Sequence, residues 1–178
     1  MNRTAVDAEG AWFEPERITE LRRLLPIPYV DVVPVRTDVD GTVSDVGLLL
    51  RASGSGRIVR TIISGRVLVH ETLREAIARH VEKDLGPMAM PRIPASPTPF
   101  TVAEYFPTPG QSLFTDPRQH AISLAYLVPI GGETEPQEDA LELAWLPVQE
   151  LLDSTILDEM EGGHDIVVRR ALAHAGVI

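Results

Sequence analysis

Four side chains in one short stretch of this 178-residue chain, Arg79, His80, Lys83 and Asp84, have types and spacing that could hold a cation or a phosphate. On a helix, positions i, i+3 and i+4 share a face, so His80, Lys83 and Asp84 would converge. Asp84 would lie beside the apolar stripe of Leu73, Ile77 and Val81, in the last turn, where the helix dipole disfavours negative charge. Such a carboxylate needs a cation. It can be a metal ion, or a basic side chain: Lys83, Arg79 or an arginine from elsewhere. His80 could offer one imidazole nitrogen to a metal, moving preference from Mg²⁺ toward Mn²⁺, Zn²⁺ or Ni²⁺. Hydrogen-bonded packing is the plainer role for a lone histidine at the edge of an apolar face. Lys83 is the only lysine in the chain. An ammonium there repels a metal, so it either contacts phosphate directly or neutralises Asp84.

Other candidates lie further away. Arg51 and Arg60 stand on predicted strands, where they could bind phosphate or serve as surface charge. Glu133, Glu135, Glu138, Asp139 and Glu142 crowd an acidic segment, which by itself reads as a solvated loop. His164 and Asp165 read as the N-terminal cap of the last helix.

Several elements must position these residues. Pro15–Leu25 has apolar residues at helical spacing, Ile18, Leu21, Leu24 and Leu25, stopped by Pro26 and Pro28. Tyr29–Arg36 and Val46–Arg51 are aliphatic runs flanking the Asp-Gly turn at Asp40-Gly41, a hairpin pattern. Arg57–Ile63 is a further strand, and a helix follows from about Thr72 to Leu85. Pro87 to Pro99 reads as a surface loop, either of the kind that forms lids or binding loops or a disordered segment. His120–Ile130 and Leu141–Leu146 are strands, Pro147 opens a short helix, and His164–Ala175 is the last helix, closed by Gly176. Strands alternating with helices predict a mixed sheet covered on both faces.

Composition narrows the function. A net charge of -10 argues against nucleic acid or an anionic membrane as the main partner. An anionic small substrate requires metal or clustered arginines to reverse the local field. With no cysteine, disulfides, thiolate zinc sites and cysteine nucleophiles are excluded. No leader-like or membrane-spanning run is present, and a cytoplasmic address is expected.

The segment Gly65–Gly86, GRVLVHETLREAIARHVEKDLG, resembles the Nudix box, G-x5-E-x7-R-E-U-x-E-E-x-G-U with U a bulky aliphatic. Gly65, Glu71, Arg79, Val81 and Gly86 fall in register. His80, Lys83 and Asp84 occupy the three glutamate positions, Pro87 the final aliphatic one, and Ser64 stands where many boxes have another glycine. The resemblance implies an α/β fold, the α/β/α sandwich with a mixed sheet, over a domain of residues 29–178. Residues 1–28 would form an N-terminal extension with its own helix. It implies a Glu71–Arg79 ion pair fixing loop to helix, and a tight turn at Gly65 with a carbonyl near a metal. Catalytic help would come from a carboxylate outside the box, such as Glu138, Asp139 or Glu142. A divalent metal, Mg²⁺ or Mn²⁺, a nucleotide-like small molecule and a homodimer are implied as partners. Two functions compete: hydrolysis of compounds linked to a nucleoside diphosphate at an altered metal site, and non-catalytic ligand binding on a retained scaffold.

Overall fold

Alternating burial along the first long strand sets the frame of the computed structural model, which describes residues 15–53, 56–137, 140–153 and 155–178. In β1 (Ile27–Thr37), Val30 and Val32 join one apolar cluster while Val33 and Val35 join another. A strand turns successive side chains to opposite faces, so β1 feeds two cores. It runs parallel to β7 (Ala121–Pro129), from Ile27 opposite Ala121 to Val35 opposite Pro129. Its other edge is shared by β4 (Ile63–Arg66) near its start and β2 (Val43–Ala52) near its end. β2 continues onto β3 (Ile58–Thr61) and also pairs with β8 (Ala140–Pro147). β5 (Thr101–Phe106) lies antiparallel to β7 and parallel to β6 (Phe114–Thr115). Among the described residues these eight strands form one mixed sheet that curls because β1 and β2 each divide an edge between partners.

Helices cover both faces. The helix α2 (Leu73–Leu85) presses Ala76, Ile77, Val81 and Leu85 onto the face carrying Val30, Val32, Leu49 and Ile63. The short α3 (Val148–Asp153), a 3₁₀ turn at Ile156–Glu159 and α4 (His164–His174) seal the face carrying Val33, Val35 and Leu48. The architecture is therefore the expected α/β/α sandwich. An N-terminal helix, α1 (Pro15–Leu24), is also present. Its Ile18 and Leu21 are half-buried, while Leu24 and Leu25 remain 67% and 55% exposed. No helix among the described residues is long and apolar enough to cross a membrane.

Three readings change in three dimensions. The predicted strand Arg57–Ile63 is two strands, broken at Ile62, because β3 follows β2 while β4 turns to β1. The strand Thr101–Phe106 was hidden behind the proline-rich stretch; its period-two pattern covers only six residues. The last helix is capped by Gly163, with φ 93° and no side-chain cap, and not by His164 or Asp165. A Cβ on Gly163 would come within 2.7 Å of the Phe114 ring and 2.9 Å of the Leu113 carbonyl, so only glycine lets the β6 segment approach. That approach carries His164 inward, to an edge-to-face contact with Tyr105.

Candidate functional site

The helix that carries the polar cluster starts on a local signal. Thr72 caps it by accepting the Glu75 N–H (3.2 Å), and the Glu75 carboxylate accepts the Thr72 N–H in return (2.9 Å), a reciprocal capping box. The loop before it is pinned by Glu71. Its carboxylate takes both Arg79 Nε (2.6 Å) and Nη2 (2.8 Å) and the Leu68 N–H (2.8 Å), while Arg79 Nη2 also donates to the Arg66 carbonyl (2.9 Å). Burial works to raise the Glu71 pKa, but the hydrogen bonds from Arg79 and Leu68 outweigh it and hold the carboxylate below its ordinary range. Glu71 and Arg79 thus form the ion pair expected of them.

His80 lies flat against Gly65. A Cβ on Gly65 would fall 1.9 Å from the His80 Cε1, so glycine is what makes room for the ring. Nε2 is 3.0 Å from the Arg66 carbonyl, which can only accept, so Nε2 carries the proton. Burial pulls the His80 pKa down to about 4. The unfolded chain takes up this proton near pH 6.5 and the native protein only near 4, so the associated stability is complete above pH 6.5 and is lost as pH falls toward 4. Denaturant titrations at pH 7, 5.5 and 4 should show a loss on the order of 3 kcal/mol across this window. His80→Gln should flatten the profile, and an unchanged slope in that variant would assign the loss to other groups.

Asp84 is 1% exposed, and its Oδ1 lies 2.6 Å from Nη2 of Arg51. The cation that the sequence demanded is therefore an arginine from elsewhere, delivered by β2. The carbonyls around this helix end are taken by the segment after β7: the Glu135 N–H donates to Leu85 (3.0 Å) and the Gln137 N–H to Asp84 (3.3 Å). Trp145 Nε1 anchors that segment through Thr134 (3.0 Å).

A cleft of about 1260 Å³ opens beside these groups. Six cationic side chains line it: Arg51, Arg57, Arg66, Arg79, Lys83 and Arg118. The carboxylates on its wall are Asp116 and Glu161. Four of the six are ion-paired, Arg51 with Asp84, Arg57 with Glu161, Arg79 with Glu71 and Arg118 with Asp116, so the wall carries a modest surplus of positive charge in a chain of net charge -10. Arg57 reaches Glu161 at 2.8 Å, and Arg118 holds Asp116 through Nε (2.8 Å) and Nη2 (2.9 Å). Arg57, Arg66 and Arg118 were missed in the sequence: Arg66 falls at a variable position of the box, directly after Gly65, and no spacing ties Arg57 or Arg118 to it.

The other predicted residues separate. Gly65, Arg51, Arg79, His80 and Lys83 meet at the cleft, with Glu71 and Asp84 behind it. Arg60 does not line the cleft, and its Nε donates to Glu159 (2.8 Å). Glu142 pairs with Leu50, one step from the Leu49–Leu143 pair that packs toward α2, so strand alternation turns it to the opposite face. Glu138 and Asp139 lie outside the described residues.

These groups do not suit a hard dication, which takes several oxygen ligands. Asp84 is occupied by Arg51, Lys83 is an ammonium, and the Nε2 of His80 is committed to a carbonyl. Among the described residues no three His, Asp or Glu side chains cluster closely enough to hold a metal.

A curled mixed sheet between helical layers, with a capped helix tied to its loop by Glu71 and Arg79, defines a Nudix fold. The chain belongs to the family described as Domain of unknown function (DUF4916), whose model matches residues 8–177, and its fold is that of Nudix proteins. It is 59% identical to a Jonesia denitrificans protein described as a possible asymmetric diadenosine tetraphosphate (Ap4A) hydrolase. The match covers 86% of this chain and 96% of that one, at a TM-score of 0.83. The NUDIX domain of Shewanella oneidensis NrtR, solved with ADP ribose, aligns at TM-score 0.61 and 14% identity over 98% of this chain and 99% of its own. A Francisella tularensis bifunctional NMN adenylyltransferase/ADP ribose pyrophosphatase, solved with AMP and a Mn ion, aligns at TM-score 0.62 and 17% identity. It covers 92% of this chain and 48% of that one. At such identities the last two show the fold alone. No curated protein matches the chain.

Proposed function

We propose that this chain is a Nudix-fold module that binds a phosphate-bearing, nucleotide-like compound with arginine and lysine side chains where the usual box presents carboxylates to a metal. One observation carries the reading: Arg51 sits 2.6 Å from the buried Asp84, on the wall of a cleft lined by six cationic side chains. Guanidinium groups match phosphate oxygens in charge and bidentate geometry, and Lys83 adds a point charge. The ligands seen with the Shewanella and Francisella proteins, ADP ribose and AMP, are consistent with the ligand class.

The reading is tested by calorimetry and thermal unfolding with ADP and ADP-ribose, in EDTA and in MgCl₂. Binding in EDTA is expected, with affinity within about twofold of that in MgCl₂. A ligand at a hundred times its Kd should stabilise the fold by about 2.7 kcal/mol. Absence of stabilisation by either compound in EDTA would overturn the metal-free reading. The Jonesia relative's description as a possible diadenosine tetraphosphate hydrolase favours a second function, hydrolysis of a nucleotide phosphoanhydride, with Mg²⁺ or Mn²⁺ as the metals that the box resemblance implies. Product release from dinucleoside polyphosphates or nucleoside diphosphate derivatives, abolished in Asp84→Ala, would establish it.

A further inference from the structure

Asp31 carries this inference. It is fully buried, and its hydrogen-bond partners among the described residues are two hydroxyls, Ser64 Oγ at 2.6 Å from Oδ1 and Tyr105 OH at 2.8 Å from Oδ2. No salt bridge reaches it among the described residues. A buried carboxylate is costly unless donors satisfy it, so both hydroxyl protons are committed to Asp31. Burial, reinforced by the charge of Asp31, pushes the Tyr105 phenol well above its ordinary range, so it keeps the proton it donates. Ser64 and Tyr105 both line the cleft. With their protons spent, these hydroxyls have only lone pairs to offer a ligand. The cations of the same cleft offer only donors. One site therefore presents donors for an anion and, separately, an acceptor pair oriented from behind by a carboxylate.

We propose that Ser64 and Tyr105 recognise a hydrogen-bond donor on the non-phosphate end of the ligand, a ribose hydroxyl or an exocyclic amine, and that Asp31 is the positioning residue that keeps both hydroxyls as acceptors. This rests on the phosphate-ligand reading above and adds which chemistry must accompany the phosphate. A serine at position 64 then has a use: a glycine there would leave Oδ1 of Asp31 without its donor. His164, set edge-to-face on Tyr105 with its buried Nδ1 unbonded among the described residues, closes the same wall. A site built to accept from a donor discriminates strongly, because a ligand lacking that donor leaves polar groups unpaired.

The test compares inorganic pyrophosphate, which can engage only the cations, with ADP, which can engage both ends, by calorimetry on the full chain. The ratio of the two affinities is the readout, since a merely structural lesion weakens both probes together. Wild type should prefer ADP. Tyr105→Phe and Ser64→Ala should each shrink that preference by about three- to tenfold while leaving pyrophosphate within about twofold. Asp31→Asn, whose amide can donate back to one hydroxyl and free its proton, should do the same at nearly unchanged volume. In wild type, weaker binding of 2′,3′-dideoxy-ADP assigns the donor to the ribose, and weaker binding of inosine diphosphate assigns it to the exocyclic amine. If both probes bind and Tyr105→Phe and Ser64→Ala keep the wild-type preference, the acceptor pair is overturned and the phosphate reading stands. If neither probe binds wild type, both fall. Should Tyr105→Phe fail to fold, Ser64→Ala decides alone.

Discussion

Arg51→Ala is expected to destabilise the protein by about 3–5 kcal/mol, the cost of removing one partner of a buried ion pair. For a domain of this size that lowers Tm by roughly 10 °C. The two partners are unequal. The Asp84 side chain is 2% exposed and that of Arg51 17%, and Arg51 lines the cleft while Asp84 does not. Without Asp84, Arg51 can turn toward water, whereas Asp84 without Arg51 stays against the apolar packing of Val81 and Leu85. Asp84→Ala should therefore cost less than Arg51→Ala, and the paired replacement Arg51→Met with Asp84→Leu should cost less than either. Urea unfolding of the three variants checks the order. Equal losses in all three would mean that the ion pair is incidental to the packing around it.

Lys83→Glu is expected to lower affinity for ADP in EDTA by about 10- to 100-fold. A reversal moves two units of charge beside the ligand, and for the exposed Lys83, at a dielectric near 40, each unit is worth about 0.7–1.4 kcal/mol at 6–12 Å. The same substitution restores one of the box glutamates next to Asp84, so it should make affinity depend on Mg²⁺ or Mn²⁺ where wild type does not. Calorimetry on both proteins with and without metal separates the two effects. If Lys83→Glu leaves ADP binding in EDTA unchanged, the cationic wall is not where the phosphates bind.

The elements legible beforehand were those whose causes are local. Leu73, Ile77, Val81 and Leu85 repeat every four residues, and all of the last three are fully buried. The Asp38–Thr42 turn was legible because its Asp38 carboxylate bonds the Asp40 and Thr42 N–H groups within the turn itself. β5 was not, since a short strand between two strands of its sheet owes its existence to β7 and β6 more than to its own pattern. Glu142 looked well placed by its position after β7, and pairing register sent it to the other face. A slip of one residue would have reversed that, and nothing in Leu141–Glu142–Leu143 states which register wins.

From the sequence alone came the resemblance to the Nudix box, the box helix and its Glu71–Arg79 tie, the surplus of acid over base, and the demand of Asp84 for a cation. Each follows from spacing within a few turns of chain or from composition. The tertiary structure decided which cation answers, that six basic side chains share one cleft, and that Asp31 holds two hydroxyls. Those partners stand 33 and 74 residues from Asp31 along the chain. Contacts over such separations depend on strand register and sheet curl, which are set by the burial of the whole apolar pattern at once and by no local signal.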